Sequence, residues 1–229
     1  MKLRGSIGYT GNASFSPYQA MTTYKYDSQL DYGEGIGAVP MAIGNPDLKW
    51  ERTLTYNAGL DVVFFSRRLD MSVDYYYKLT DDLLLDVAKA PSVGTITAKE
   101  NLGKIANTGI EVQARVEVLR NKNWNWALSV TMQHNRNKIK KISNALNVMN
   151  DSLNAKKTVM PPPVYEEGQS TTAVYGMKSL GIDPATGKEL YVYKDGTVGY
   201  EWKATEMSVI GDKTPKADGS FGLNFRYKG

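Results

Sequence analysis

The chain is expected to be all-β: an antiparallel up-and-down meander of about seven or eight strands, forming part of a large transmembrane β-barrel with long loops on one side. Three observations predict this. Apolar and polar residues alternate with a period of two over strand-length segments. No run of eighteen apolar residues exists that would cross a bilayer as a helix. Short and long connections alternate along the chain. The clearest segment is 124–133, where Trp124, Trp126, Leu128, Val130 and Met132 share one parity and Asn125, Ala127, Ser129, Thr131 and Gln133 the other. Side chains of an extended strand point alternately to opposite faces, so one face there is apolar and the other small or polar.

Taken in order, strands are expected at about 2–10, 51–65, 68–79, 105–119, 124–136, 171–182 and 220–228, with a shorter one near 187–194. In 51–65, Leu54, Tyr56, Ala58, Leu60, Val62 and Phe64 oppose Thr53, Thr55, Asn57, Gly59 and Asp61. In 68–79, Leu69, Met71, Val73, Tyr75 and Tyr77 oppose Arg68, Asp70, Ser72, Asp74 and Tyr76. In 105–119, Ile110, Val112, Ala114, Val116 and Val118 oppose Glu111, Gln113, Arg115 and Glu117, which are expected to line water or touch a plug. Near the end, Phe221, Leu223, Phe225 and Tyr227 alternate with Gly222, Asn224 and Arg226.

The connections 65–68 and 119–123 are tight, whereas 11–50, 80–104 and 137–170 are long. Outer-membrane barrels have short periplasmic turns and long extracellular loops. Counting strands then places the turn Asp183-Pro184-Ala185-Thr186-Gly187 on the periplasmic side. Phe64, Trp124 and Trp126 are expected near the periplasmic rim as an aromatic girdle, with Val73, Val112, Leu128 and Val130 facing lipid.

The wealth of amphipathic aromatics, 15 Tyr and 4 Trp against 5 Phe, suits surfaces that are dry at one end and wet at the other. A net charge of +4 is scattered rather than gathered in a stripe, which argues against a nucleic-acid partner. Met1 leads directly into an alternating segment, so no signal peptide is read and the chain is expected to be an interior piece of a longer protein.

Chemical motifs are sparse. His134 is the only histidine and there is no cysteine, so no catalytic or metal role is assigned to it. The pairs Asp81-Asp82 and Glu166-Glu167 read as solvated charge, and Asp183…Gly187 and Asp195-Gly196 read as turns. Gly33-Glu34-Gly35-Ile36-Gly37 lacks the lysine and the strand-to-helix setting of a phosphate loop and reads as a mobile extracellular loop. No cofactor is expected. Tyr18, Tyr24, Tyr26, Tyr32 and Trp202 are candidate ligand contacts in long loops that also carry Pro161, Pro162, Pro163, Lys156 and Lys157; loop anchoring is the competing role for the aromatics.

Several phrases resemble the barrel portion of the SusC/RagA-type TonB-dependent outer-membrane transporters. They are Asn45-Pro46-Asp47-Leu48-Lys49-Trp50-Glu51, Asn57-Ala58-Gly59-Leu60-Asp61, the run Arg68 to Lys78, Asn101-Leu102-Gly103-Lys104-Ile105-Ala106-Asn107-Thr108-Gly109-Ile110-Glu111, and Gly181-Ile182-Asp183-Pro184-Ala185-Thr186-Gly187. Tyr175-Gly176, Pro215-Lys216 and the closing Asn224 to Gly229 complete the set. The resemblance implies one partial barrel domain over 1–229, with the plug and remaining wall strands elsewhere. It implies a non-enzymatic importer of glycans, oligosaccharides or peptides in the outer membrane of a Gram-negative bacterium. Outer-membrane lipid, a SusD-like surface lipoprotein and TonB, reached through the plug, are the implied partners. The rival reading is a soluble β-sandwich carbohydrate-binding module, in which the apolar parities would close on one another.

Overall fold

A computed structural model of the chain describes residues 1–13, 21–32, 35–88, 97–101, 103–154 and 164–228. The wall strands, with those between them, are β1 (Lys2–Asn12), β2 (Thr23–Tyr32), β3 (Gly35–Ala42), β4 (Glu51–Phe64), β5 (Leu69–Asp81), β6 (Leu84–Ala88), β7 (Thr97–Asn101), β8 (Gly103–Arg120) and β9 (Trp124–Ile142). Helix α1 (Asn144–Asn154) follows, then β10 (Ala173–Gly176), β11 (Lys178–Ile182), β12 (Glu189–Val192), β13 (Val198–Gly199), β14 (Ser208–Asp212) and β15 (Asp218–Tyr227).

Six strands form one antiparallel sheet in the order β1-β4-β5-β8-β9-β15, so neighbours in the wall are neighbours in the chain once the intervening hairpins are set aside. The up-and-down meander is as the alternation requires. The wall has six members rather than seven or eight. The expected strand 171–182 divides into β10, which pairs with β14, and β11, which pairs with β12. The strand near 187–194 is β12, flanked by β11 and β13 in a local three-stranded sheet. Period-two patterning reports that a strand has two faces but not which sheet it joins.

Two long connections carry structure that polarity concealed. Hairpin β2–β3 lies within 11–50 and hairpin β6–β7 within 80–104. Gly35 and Gly37, read as part of a mobile loop, belong to β3. In 137–170, β9 runs on to Ile142 and is followed by α1, capped by Ser143, whose hydroxyl accepts from the Leu146 amide at 3.3 Å. Leu146, 2% exposed, packs with Leu85, Ile142 and Tyr165 into a small core at the loop end of the wall. One turn on, the Asn150 amide bonds both the N–H and the carbonyl of Tyr165.

The β1–β4, β5–β8 and β9–β15 connections all leave from one end of the wall, and the turns β4–β5 and β8–β9 close the other. The turn at Asp183–Gly187 therefore lies on the long-loop side, contrary to the strand count, because β11 and β12 never enter the wall. It and the Asp195-Gly196 segment are turns, as read.

In the tight turn after β4, Phe65, Ser66 and Arg67 all take positive φ, which reverses the chain in few residues at some backbone cost. A bulge between Glu117 and Leu119 pairs Leu119 with Trp126, so Leu119 and not Val118 continues the apolar row.

Candidate functional site

The register sorts the alternating residues into rows across the wall. On the apolar face run Leu3–Leu60–Val73–Val112–Met132, then Val62–Met71–Ala114–Val130–Phe221, then Phe64–Leu69–Val116–Leu128–Leu223. Below them Leu119–Trp126–Phe225 and Trp124–Tyr227 finish the β8–β15 side. Trp124 packs against Tyr227 with ring centroids 4.3 Å apart and against Phe225 at 5.4 Å, both pairs tilted. Phe64, Trp124 and Trp126 thus share the short-turn end.

In the middle of the sheet Tyr75 is 49% exposed, Ile110 41% and Val130 41%. No second layer covers this face among the described residues, so the sandwich reading fails here. The apolar band also runs obliquely to the register. Its lower limit is Phe64 on β4, yet on β9 it is Trp124, four residues below Leu128, which shares the row of Phe64. Three strand steps of about 4.8 Å against four residues of about 3.3 Å correspond to strands inclined by roughly 40° to the normal of the band. That is the tilt at which strands cross an outer membrane.

The opposite face is a polar network. Arg4 on β1 reaches over Gly59 to bond Asp61 through Nε at 2.9 Å and Nη2 at 2.8 Å, and the same Nη2 bonds Ser72 at 3.0 Å and Asp74 at 2.9 Å. A Cβ at Gly59 would stand 2.4 Å from Asp74 Oδ1, which explains the glycine. Gly109 does the same for Tyr76, whose ring would meet a Cβ at 2.3 Å. The Tyr76 hydroxyl donates to Asn135 at 3.2 Å, Asn137 donates to Asn107 at 2.8 Å, and Asn137 accepts from the Thr171 N–H at 2.9 Å. Arg4, Asp74, Tyr76, Lys78 and Glu111 border a concavity of about 450 Å³. Gln113 and Arg115 line a second groove with Asp70, Ser72, Ser129 and Thr131. Glu117 pairs with Arg120 at 3.1 Å. This chemistry can bond water and polar solutes; among the described residues no cluster could hold a metal ion.

At the loop end, two phrases quoted for their resemblance prove to be halves of one clasp. The Asn101 amide bonds the backbone of Lys49 at both N–H and carbonyl, each at 2.8 Å, and donates to the Asp82 carbonyl at 2.7 Å. Asn45 folds back to accept the Asp47 N–H at 3.0 Å and donates to the Lys99 carbonyl at 3.2 Å. Glu51 accepts the Leu84 N–H at 2.8 Å. Between them Gly103 sits at φ +148°, where a Cβ would fall 1.9 Å from the Lys141 carbonyl oxygen. No role is read from the sequence for Arg4, and Asn101 enters there only as part of a resembling phrase; the register alone brings Arg4 to Asp61 and Asp74.

The candidate ligand contacts are dispersed. Tyr24 and Tyr26 stand on one face of β2, 65% and 77% exposed. Trp202 is half-buried in the insertion between β9 and β15. Tyr18 and the segment with Lys156, Lys157 and Pro161 to Pro163 lie outside the described residues, as does the side chain of Tyr32. In the same insertion, Asp183 accepts from the Tyr200 hydroxyl at 2.6 Å, the Ala185 N–H at 2.9 Å and the Thr186 hydroxyl at 2.9 Å, which together hold its carboxyl below the usual range. Burial, then the Glu166 carboxylate, pushes the Tyr175 phenol up. His134 Nδ1 contacts the Lys216 carbonyl, a structural role.

A tilted, two-faced antiparallel wall with turns at one end and elaborated loops at the other defines a section of a membrane β-barrel. A family profile described as TonB dependent receptor-like, beta-barrel matches residues 1–224, and the chain belongs to that family. TonB-dependent receptor P39 of Formosa agariphila is 32% identical over 182 residues, 80% of this chain and 16% of its own length. TonB-dependent receptor SusC of Bacteroides thetaiotaomicron is 38% identical over 151 residues, 62% of this chain and 15% of its own. A solved structure described as the RagAB peptide transporter superposes with TM-score 0.83 at 29% identity, over 99% of this chain and 25% of its own. The SusC/RagA resemblance is therefore borne out, and the chain spans a quarter or less of these proteins.

Proposed function

We propose that this chain supplies six wall strands and part of the extracellular mouth of a TonB-dependent importer of glycans, oligosaccharides or peptides in the outer membrane of a Gram-negative bacterium. The observation that carries the reading is the oblique apolar band on one face of a sheet whose other face is an open polar network. Lateral pairing on both sides satisfies the backbone of β4, β5, β8 and β9, as lipid requires of a spanning structure, while β1 and β15 each keep one edge for further wall strands. Val73, Val112, Leu128 and Val130 face outer-membrane lipid. Phe64, Trp124 and Trp126, with Phe225 and Tyr227, form the periplasmic girdle.

Transport and not catalysis is the activity. A SusD-like surface lipoprotein closes the outside, and TonB delivers energy through a plug domain lying outside the barrel segment matched here. The solved RagAB relative is described as a peptide transporter, which supports peptides as one substrate class. Tyr24 and Tyr26, adjacent on an exposed hairpin, are the ligand contacts favoured by geometry; Tyr18, Tyr32 and Trp202 stay secondary candidates. The test is binding of an oligosaccharide and peptide panel to the complete receptor with its lipoprotein. Tyr24→Ala and Tyr26→Ala are expected to weaken binding by roughly 2–10-fold each, the worth of one aromatic contact. Uptake that persists in cells lacking TonB would overturn the proposal.

A further inference from the structure

On β9 the apolar parity does not end in polar neutrality. Past Met132 it continues as His134, Arg136 and Lys138, with Lys140 at a register shift beyond. With strands tilted by roughly 40°, His134 and Arg136 rise about 5 and 10 Å along the membrane normal above the apolar edge, through the lipid headgroup layer, and Lys138 stands about 15 Å above it, on the outer side of that layer. Arg136, Lys138 and Lys140 border a recess of about 250 Å³ completed by Tyr77, Ala106 and Thr108. Its floor is low because Ala106, 3% exposed, carries only a methyl group.

None of the three cations has a carboxylate partner among the described residues. In the segment that follows α1, Glu167 accepts the Ile142 N–H at 3.1 Å. Three unneutralised cations, stacked along one strand on the outward face directly above an apolar band, complement an anion that is itself attached to acyl chains.

We infer that this recess binds the phosphate of an acylated outer-leaflet lipid, seated against the barrel wall on the long-loop side. The inference rests on the membrane placement proposed above. The acyl chains lie along Ile110, Met132 and Val130, while the phosphate meets Arg136, Lys138 and Lys140 with the Thr108 hydroxyl beside them.

The experiment uses the complete receptor in mild detergent and a diphosphorylated glucosamine lipid, its dephosphorylated counterpart and inorganic phosphate as probes, with bound lipid counted by native mass spectrometry. Arg136→Gln/Lys138→Gln/Lys140→Gln is expected to weaken binding of the phosphorylated lipid by roughly a hundredfold, since each basic residue near an anionic headgroup contributes about fivefold. Lys25→Gln/Lys178→Gln/Lys188→Gln, which removes the same charge from exposed positions on β2, on β11 and beside the Asp183 turn, is expected to leave binding unchanged. Arg136→Lys/Lys138→Arg/Lys140→Arg is expected to retain it. Heat-modifiable gel mobility verifies that each variant is a folded barrel. Equal binding by the glutamine variant, equal binding of the dephosphorylated lipid, or full competition by inorganic phosphate would overturn the inference. Quenching of tryptophan fluorescence by lipids brominated in their chains separates the two readings: quenching with charge-independent lipid binding defeats this inference alone, whereas absence of quenching defeats the membrane placement.

Discussion

Leu128→Arg in the complete receptor is the substitution that most directly probes the proposed membrane-facing side. Leu128 lies four residues above Trp124 and four below Met132 on β9, in one row with Val116 and Leu223. At the inferred tilt it is roughly 10 Å from either edge of the apolar band, close to the midplane. A guanidinium there should cost about 2–4 kcal/mol, whereas at an interfacial position such as Trp124 the charge itself should cost about 0–1 kcal/mol. The neighbouring Ser129 faces the polar side, where its hydroxyl donates to the Gly222 carbonyl at 3.3 Å. Ser129→Arg forfeits that bond, about 1 kcal/mol, but meets water. Denaturant unfolding in lipid vesicles should therefore place Leu128→Arg below Ser129→Arg by at least about 1 kcal/mol. Val130→Phe supplies an independent check: lipid accommodates the larger ring, while a packed protein core would lose about 1–3 kcal/mol. A Leu128→Arg receptor as stable as the parent, or a Val130→Phe receptor destabilised on that scale, would refute the assignment of this face to lipid.

Gly103→Ala should destabilise the receptor by about 2–4 kcal/mol, because the position combines a left-handed φ with a steric conflict at the Lys141 carbonyl; assembly yield and unfolding midpoint measure it, and a neutral result would show that the backbone there admits a Cβ without strain. Asn101→Ala should release the clasp by removing three hydrogen bonds. Faster amide exchange at Lys49, with the wall protected as before, is the expected signature, and unchanged exchange would count against the clasp. The Asp183 turn should loosen in acid. Its carboxyl is held low in the folded protein, chiefly by the Tyr200 hydroxyl, so the stabilisation is present above the ordinary carboxylate range and disappears as pH falls through the folded value, below about pH 4. Amide exchange at Ala185 should rise there, and Asp183→Asn should abolish the rise.

The strands of the wall were legible in the sequence because alternation over Glu51–Phe64, Leu69–Asp81 and Trp124–Ile142 is a one-dimensional record of two different solvents on two faces. The apolar identities of Val73, Val112, Leu128 and Val130, the clustering of Phe64, Trp124 and Trp126 near short turns, and the turn chemistry of Asp183–Gly187 are local properties, and local physics exposes them. Tertiary structure decided what depends on pairing. It determined that β10 and β11 leave the wall for separate small sheets, which moved the Asp183 turn to the loop end. It brought Arg4 to Asp61 and Asp74 across three strands, and Asn101 to Lys49 across 52 positions of chain. Register and hydrogen-bond partnership between distant segments leave no periodic trace, since one asparagine in a turn looks like any other until the backbone it closes upon arrives beside it.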